Sequence, residues 1–210
     1  MGYIAIVGSR SLPASWAPRV GSVIDCLLTR GLFIGSGGAI GADLFALRYL
    51  VNRGRKACTG SVIFLPGGLG AAPSVCVPSL TRFVHHGGKV TVGPAPEQAT
   101  RQEFLSALFS RSQSLVSGSS GVVAFVTGRS AGSWFTVACA ARLGLPVVVF
   151  PVEGQNWLRS LGSGGWVRLS SWAGAFRWVP AQFDNTRCIH GLIGSFCALC
   201  IKGGPHEKKI

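Results

Sequence analysis

Three turns rich in small residues carry groups that could bind an anion. Each follows a short apolar run, and together they supply the candidates Gly8, Ser9, Ser36, Gly37, Gly38, Gly132, Ser133 and Thr136. Glycine and serine let a backbone approach a ligand closely, and the free amides that open a following helix favour negative charge. The pattern therefore indicates phosphate binding, although the same residue types also serve tight strand-to-helix connections and helix caps.

Two arginines are placed to add charge to such a site. Arg10 follows the first glycine turn, and Arg111 precedes the fifth predicted strand, which favours it over Arg101. A guanidinium can donate two parallel hydrogen bonds to one phosphate, whereas a solvated surface arginine would have no such role. Asp43 falls in the first turn of a predicted helix. Capping that helix is its simpler interpretation, and orienting Arg10 or binding a sugar hydroxyl is the other.

Strands and helices alternate along the chain, and this order must position the turns. Strands are predicted at 3–7, 32–34, 61–65, 89–92, 122–126 and 146–150, and helices at 16–30, 42–53, 78–86, 97–117 and 134–143. The alternation predicts an α/β fold with a Rossmann-like, doubly wound and mainly parallel sheet. Because parallel strands end at one edge of a sheet, we expect the three turns to form a single rim.

The composition changes after the sixth strand, which divides the chain into a sheet domain over 1–152, a Trp/Arg-rich extension over 153–186 and a Cys/His tail over 187–210. In the extension, tryptophans alternate with arginines. Such tryptophans either stack on unpaired bases or cap the edge of the sheet. The four are Trp157, Trp166, Trp172 and Trp178.

The tail has a spacing of soft ligands that suits zinc. Cys188 and His190 are followed by the pair Cys197 and Cys200, with His206 close behind. A set of three cysteines and one histidine is a common structural zinc site, and bound zinc would order so short a segment. The alternative is that these cysteines are buried apolar residues.

The charge of the chain is strongly basic. Twenty Lys and Arg against seven Asp and Glu give a formal net charge of +13. Such a balance indicates a polyanionic partner, with nucleic acid before an acidic membrane surface, or else a lineage whose proteins are all basic. The composition, 48% hydrophobic and 13% charged, argues against a disordered chain.

Several locations and classes are also disfavoured. No apolar run reaches the roughly 18 residues of a membrane span. Seven scattered cysteines are unlike a disulfide framework. The N-terminus has no basic segment with a small-residue cleavage site, so we expect no secretory signal. The sequence therefore predicts a cytoplasmic protein that does not enter a membrane.

The order of motifs resembles the Smf/DprA group of Rossmann-like proteins in the SLOG superfamily. Residues 4–10 are similar to its opening strand and Gly-Ser-Arg turn, and residues 36–43 to its Ser-Gly-Gly-Ala-Arg-Gly-Ile-Asp segment. Phe109 and Arg111 lie where the group has Phe and Arg-Asn-Arg, and residues 132–136 resemble its Gly-Ser-Leu-Ile-Thr helix start. The matches run in order over residues 4–151.

This resemblance implies binding of single-stranded DNA, or RNA, with Arg10 on the nucleic-acid backbone, and a role in DNA processing or recombination beside a recombinase. A homodimer is also expected. The chain departs from the group at Ile40, which replaces an Arg, and at Val126, which stands where a Glu is usual. Residues 124–125 are closer to the YspA-like SLOG proteins, which implies the alternative that the chain binds or hydrolyses a small nucleotide-derived ligand.

One further segment bears on catalysis. Residues 66–70, Pro-Gly-Gly-Leu-Gly, resemble the start of the Pro-Gly-Gly-x-Gly-Thr-x-x-Glu signature of SLOG phosphoribohydrolases. The chain continues with Ala-Ala-Pro-Ser, so the Thr and the catalytic Glu are missing. General acid–base catalysis needs a titratable group within reach of the substrate. The sequence therefore favours a binding protein over an enzyme and assigns no catalytic residue.

Overall fold

The computed structural model describes residues 2–96 and 98–181, and its strands and helices alternate as the sequence predicts. The strands are β1 Tyr3–Gly8, β2 Phe33–Ser36, β3 Val62–Gly67, β4 Lys89–Ala95, β5 Ser119–Val126, β6 Val147–Pro151, β7 Gly164–Arg168 and β8 Phe176–Pro180. The α-helices are α1 Ala17–Leu28, α2 Ala42–Arg53, α3 Arg55–Thr59, α4 Val77–His85, α5 Arg101–Ser117 and α6 Ala131–Arg142. Short 3-10 helices cover Ala14–Trp16, Leu69–Ala71, Ser74–Cys76 and Gln155–Trp157.

The eight strands form one sheet in the order β4-β3-β2-β1-β5-β6-β8-β7. The first six of these run parallel, whereas β8 is antiparallel to both β6 and β7. From β1 the chain proceeds outward to β4 and then returns to place β5 on the other side of β1. The loops after β1 and β5 therefore lead away to opposite sides, and the crevice between them is where open α/β sheets bind ligands.

Both faces of the sheet are buried, which explains the nearly continuous apolar runs of its central strands. Along β1, Ile4 and Ile6 belong to one core, and Ala5 and Val7 belong to the other. The first core contains the apolar residues of α1, α2 and α4, and the second contains those of α5 and α6. The predicted doubly wound, mainly parallel α/β fold is confirmed.

The described part of the Trp/Arg-rich extension continues the sheet. The β8 strand pairs with β6 through Val149 and Phe176, and β7 pairs with β8. Trp166 and Trp172 are 8% and 9% exposed, respectively, so their burial favours the interpretation of these two as a cap over the sheet. Trp157 differs from them because it is 47% exposed.

Within the described ranges, no helix combines the length and the apolar character needed to cross a membrane.

Candidate functional site

A cleft of about 490 Å³ opens at the crevice between β1 and β5. The loops that follow β1, β2 and β5 line it together with α5 and the first turn of α6. Two of the three predicted turns, those after β1 and β5, thus meet with Arg111 at one rim. The predicted site residues that line the cleft are Gly8, Arg10, Arg111, Gly132, Ser133 and Thr136.

The end of β1 is packed too tightly for any side chain at Gly8. A Cβ built there would lie 2.3 Å from the carbonyl oxygen of Phe125 and 2.7 Å from the Cβ of Ala42. Glycine therefore lets β1 end between β5 and the start of α2. Arg10, two residues later, is exposed and lines the cleft, where its guanidinium is open to a ligand.

Ser9 lies beside the cleft, and its polar groups hold the rim together. Its amide donates to the carbonyl oxygen of Phe125 at 2.9 Å, and its hydroxyl oxygen accepts the amide of Thr127 at 2.8 Å. The Ser9 and Thr127 hydroxyl oxygens are 3.1 Å apart. Ser9 is 1% exposed, so the structure places it as a tie between the β1 and β5 loops.

The turn after β2 lies beneath the cleft. Ser36, Gly37 and Gly38 are buried and are not among the lining residues. Gly38 has a φ of +66°, which favours glycine, and a Cβ there would lie 2.6 Å from the side chain of Leu65. A Cβ on Gly37 would lie 1.4 Å from Nη1 of Arg111. The small residues of this turn therefore make room for that guanidinium.

Arg111 reaches this position from α5 and meets Asp43 of α2. Nη1 of Arg111 and Oδ2 of Asp43 are 3.8 Å apart, and the two side chains are 9% and 6% exposed. Burial raises the pKa of Asp43 to about 6, against the opposing effects of Arg111, the amides of Ala39 and Gly37, and Arg10. Burial also lowers the pKa of Arg111, although Asp43 counteracts the shift. Asp43 thus lines the cleft as well as opening a helix.

The first turn of α6 forms another part of the lining. Ser130 precedes the helix and makes no side-chain capping bond to its amides, while its hydroxyl lies 2.7 Å from that of Ser133. The hydroxyl of Thr136 donates to the carbonyl oxygen of Gly132 at 3.0 Å. The first amides of an α-helix have no acceptor within the helix. This part of the lining therefore presents donors and the positive end of the helix dipole to an anion.

Arg129 is a lining residue that none of the sequence motifs indicates. It is exposed in the turn between β5 and α6. The backbone of the preceding residue, Gly128, is held in place by contacts with the extension. Its carbonyl oxygen accepts from Nη2 of Arg159 at 3.0 Å, and the ring of Trp157 covers its Cα. The position of Arg129 at a strand end on the rim is the signal that could have identified it.

An apolar wall completes the cleft. Leu105, Leu108 and Phe109 contribute it from α5, and Phe135 contributes from α6. The rings of Phe109 and Phe135 meet edge to face with centroids 4.7 Å apart. Phe109 remains 46% exposed. The three α5 residues, Leu105, Leu108 and Phe109, have the spacing of one helix face. The sequence alone does not distinguish a helix face that packs in a core from one that lines a site.

The charges of the cleft favour an anionic ligand. Among the described residues that line it, the charged side chains are Arg10, Arg111, Arg129 and the acidic Asp43. Three guanidinium groups and a helix start can bind phosphate groups, and an exposed aromatic ring offers a stacking surface for a base. The cleft is thus suited to a ligand that carries both a phosphate group and a base.

No group of three His, Cys, Asp or Glu side chains that could hold a metal ion occurs in the part of the chain that the structure describes. The predicted zinc ligands Cys188, His190, Cys197 and Cys200 all lie outside that part.

Comparisons with known proteins agree with this architecture. The family model described as DNA recombination-mediator protein A matches residues 1–167. DNA processing protein A from Helicobacter pylori, described as having a unique single-stranded DNA binding mode, is 18% identical with a TM-score of 0.56. DNA processing protein A (DprA) from Streptococcus pneumoniae is 24% identical with a TM-score of 0.55. At these identities the likeness shows a shared fold.

The matches cover 72% and 74% of this chain, respectively. They cover 66% of the Helicobacter pylori chain and 51% of the Streptococcus pneumoniae chain. No curated protein matches the chain.

Proposed function

Because the chain belongs to the DNA recombination-mediator protein A family, we propose that it binds single-stranded DNA in the cleft between β1 and β5. The observation that carries this proposal is the convergence of Arg10, Arg111 and Arg129 with the start of α6 at one crevice. The family membership agrees with the Smf/DprA resemblance of the sequence. The Helicobacter pylori protein of the same fold is described as binding single-stranded DNA, which supports the same ligand here.

The charged lining and the apolar wall of the cleft contact different parts of the DNA. The guanidinium groups and the α6 amides hold phosphates, and these contacts are independent of base sequence. The half-exposed ring of Phe109 offers a stacking surface to a base. A base can lie on that ring only when it is unpaired and unstacked, so the cleft should prefer single strands to duplexes.

The proposal is tested by titrating a fluorescent thymidine oligonucleotide, free and as a duplex, at about 50 mM and about 200 mM salt. We expect the single strand to bind more tightly than the duplex. Each phosphate contact should contribute a slope of about −0.7 to the logarithmic salt dependence. Arg10→Ala should lower the affinity and the salt slope, since Arg10 is exposed at the rim.

Arg142→Ala is the matched control, because Arg142 is also an exposed arginine but lies in the last turn of α6, away from its first turn. Equal losses in the two variants would mean that the binding is a general effect of the +13 charge. Absence of single-strand binding at the lower salt concentration would refute the proposal.

A second candidate is a small nucleotide-derived ligand in the same cleft. Its volume of about 490 Å³ is of the size that small-molecule sites have in proteins. A mononucleotide series added to the oligonucleotide complex distinguishes the two. Displacement of the oligonucleotide at micromolar nucleotide would favour the small ligand as the natural one.

The wider role is proposed on the family resemblance. We propose that the chain acts in DNA processing or recombination in the cytoplasm, as a homodimer that works beside a recombinase. Co-purification with a recombinase on single-stranded DNA and measurement of the mass in solution would test these two associations.

A further inference from the structure

We infer that Asp43 is a positioning residue for Arg111, and that a bound phosphate replaces Asp43 as the partner of that guanidinium while Asp43 takes up a proton. This inference rests on the proposed function, because the phosphate is that of the single strand. It concerns the way in which the cleft binds its ligand.

The contact between the two side chains is too long to satisfy Arg111. At 3.8 Å, Nη1 and Oδ2 form an ion pair without a direct hydrogen bond. Nε of Arg111 is buried and has no hydrogen-bond partner among the described residues. The side chain is nine-tenths buried and lines the cleft. A phosphate beside it would supply the oxygen acceptors that Asp43 does not.

Asp43 is held independently of Arg111. It is the second residue of α2, and its Oδ2 accepts the amide of Ala39 at 3.3 Å. The carboxyl group therefore keeps its place when a ligand binds, while the guanidinium pairs with the phosphate instead. Gly37 allows this arrangement because it leaves the space beneath the guanidinium empty of side-chain atoms.

The charged and titratable groups that face Asp43 come from three other elements. Burial raises the pKa of Asp43, and Arg111 of α5 and Arg10 of the β1 loop act against that rise. Cys76, in the 3-10 helix before α4, has its own pKa raised by burial and then by Asp43. A phosphate on Arg10 and Arg111 would offset both cations and add a negative charge. The bound phosphate therefore raises the pKa of Asp43 further, and its carboxyl group takes up a proton more readily.

The replacement of Asp43 by phosphate as the partner of Arg111 is balanced in charge and in protons. In the free protein, Asp43 and Arg111 are an ionised pair at pH above about 6. In the complex, Arg111 keeps its proton and pairs with the phosphodiester, which keeps its negative charge. Asp43 gains one proton from solvent at a carboxylate oxygen and becomes neutral. Binding is therefore coupled to proton uptake and is tighter at lower pH.

The size of the coupling follows from linkage. If the bound phosphate raises the pKa of Asp43 by about one unit, affinity should fall about fivefold from about pH 6 to about pH 8. A thymidine oligonucleotide without a terminal phosphate is the suitable probe, because neither its bases nor its phosphodiesters titrate in this range. Any histidine contribution is shared by variants that differ only at position 43.

The test compares the full wild-type chain with Asp43→Asn in oligonucleotide titrations over this pH range. Asparagine keeps the shape of Asp43 and stands for its neutral form. We expect the wild type to lose affinity as pH rises, and Asp43→Asn to bind equally at all pH values, at least as tightly as the wild type does near pH 6. The same pH dependence in both proteins would overturn the inference.

A second measurement needs no variant. Calorimetric titrations of the wild type in two buffers with different ionisation enthalpies give the number of protons taken up on binding. If the bound phosphate raises the pKa of Asp43 by about one unit, about half a proton should be taken up at about pH 6.5. Binding without proton uptake overturns the inference and leaves the proposed function intact. Failure to bind the oligonucleotide at any pH overturns both.

Discussion

The guanidinium of Arg111 lies directly on the Cα of Gly37, where a Cβ would be 1.4 Å from Nη1. Gly37→Ala should therefore displace the guanidinium from its place in the lining of the cleft. The obstructing atoms belong to the ends of two side chains, the guanidinium of Arg111 and Oδ2 of Asp43 at 2.7 Å, and not to the backbone, so we expect the fold to persist. Loss of one charged hydrogen-bonding group should weaken single-strand binding by about tenfold. Fluorescence polarisation with a thymidine oligonucleotide measures the change.

Gly68→Ala is the control for that substitution. Gly68 has a φ of −56°, which alanine adopts freely, and a Cβ there would meet nothing within 4 Å. It follows β3, outside the residues that line the cleft. We expect wild-type affinity for this variant. Wild-type affinity for Gly37→Ala as well would show that binding does not depend on the place that Gly37 leaves for the guanidinium.

Phe109→Ala tests the stacking wall. The ring is 46% exposed and touches Phe135, so its removal leaves the sheet and its two cores in place. Stacking of a base on an aromatic ring contributes about 1–3 kcal/mol, and we expect the affinity for a single strand to fall accordingly, with the salt slope unchanged. Titrations at two salt concentrations separate this effect from the loss of a phosphate contact.

Leu143→Ala serves as the matched apolar control. Leu143 is 57% exposed and follows α6 at its C-terminal end, whereas the first turn of α6 lines the cleft. Its removal should leave binding unchanged. A change of the salt slope in Phe109→Ala would instead mean that the ring positions a charged group.

The stability of the free protein should depend on pH through Asp43. Its pKa is raised from 3.8 to about 6 by burial, so the folded protein binds a proton more strongly than the unfolded chain does. The corresponding stability is present at low pH and is lost as pH rises to about 6. Relative to Asp43→Asn, the free energy of unfolding should fall by about 1–3 kcal/mol from about pH 4 to about pH 7.

Denaturant unfolding at several pH values measures this difference without any ligand. The variant supplies the background of all other titrating groups, so only the difference between the two curves is attributed to Asp43. Parallel curves would show that the carboxyl titrates alike in both states and would contradict the burial of Asp43.

The regular elements could be predicted from the sequence because their signals are local. The structure places α2 at Ala42–Arg53, as predicted, since a periodic apolar face ends at a glycine. α5 begins at Arg101 instead of 97 because Thr100 and Glu103 form a capping box, with the Thr100 amide donating to Glu103 at 2.7 Å. The short α3 and the strands β7 and β8 were not predicted, because each is only five residues long and shows no clear apolar period.

The site could be predicted only in part, because its geometry depends on the order of strands. Nothing near Asp43 in the sequence indicates that Arg111, 68 positions later, packs against it. The glycine turns indicated the correct edge of the sheet. The structure gives Ser9 and Gly37 supporting places, because an internal hydrogen bond and a neighbouring guanidinium occupy the space where a ligand was expected. Their predicted phosphate contacts stay untested.

The Cys/His tail has the ligand set of a structural zinc site. We propose that Cys188, His190, Cys197 and Cys200 hold one zinc ion, since three thiolates and an imidazole match a structural zinc site. Protein that contains residues 1–210, purified without a metal-chelating tag, should contain about one zinc per chain by elemental analysis. The double substitution of Cys197 and Cys200 by serine should remove it, because serine hydroxyls are poor zinc ligands.

Cys26→Ser is the control, because Cys26 is a free cysteine in α1 and belongs to no metal-binding group within the described residues. That variant should keep the full zinc content. Zinc that remains in the double variant but disappears on mild chelation would come from adventitious binding. Since thiolate ligands must be deprotonated, the specifically bound ion should also be released as pH falls. A wild-type chain purified without any zinc would show that the tail cysteines serve another purpose.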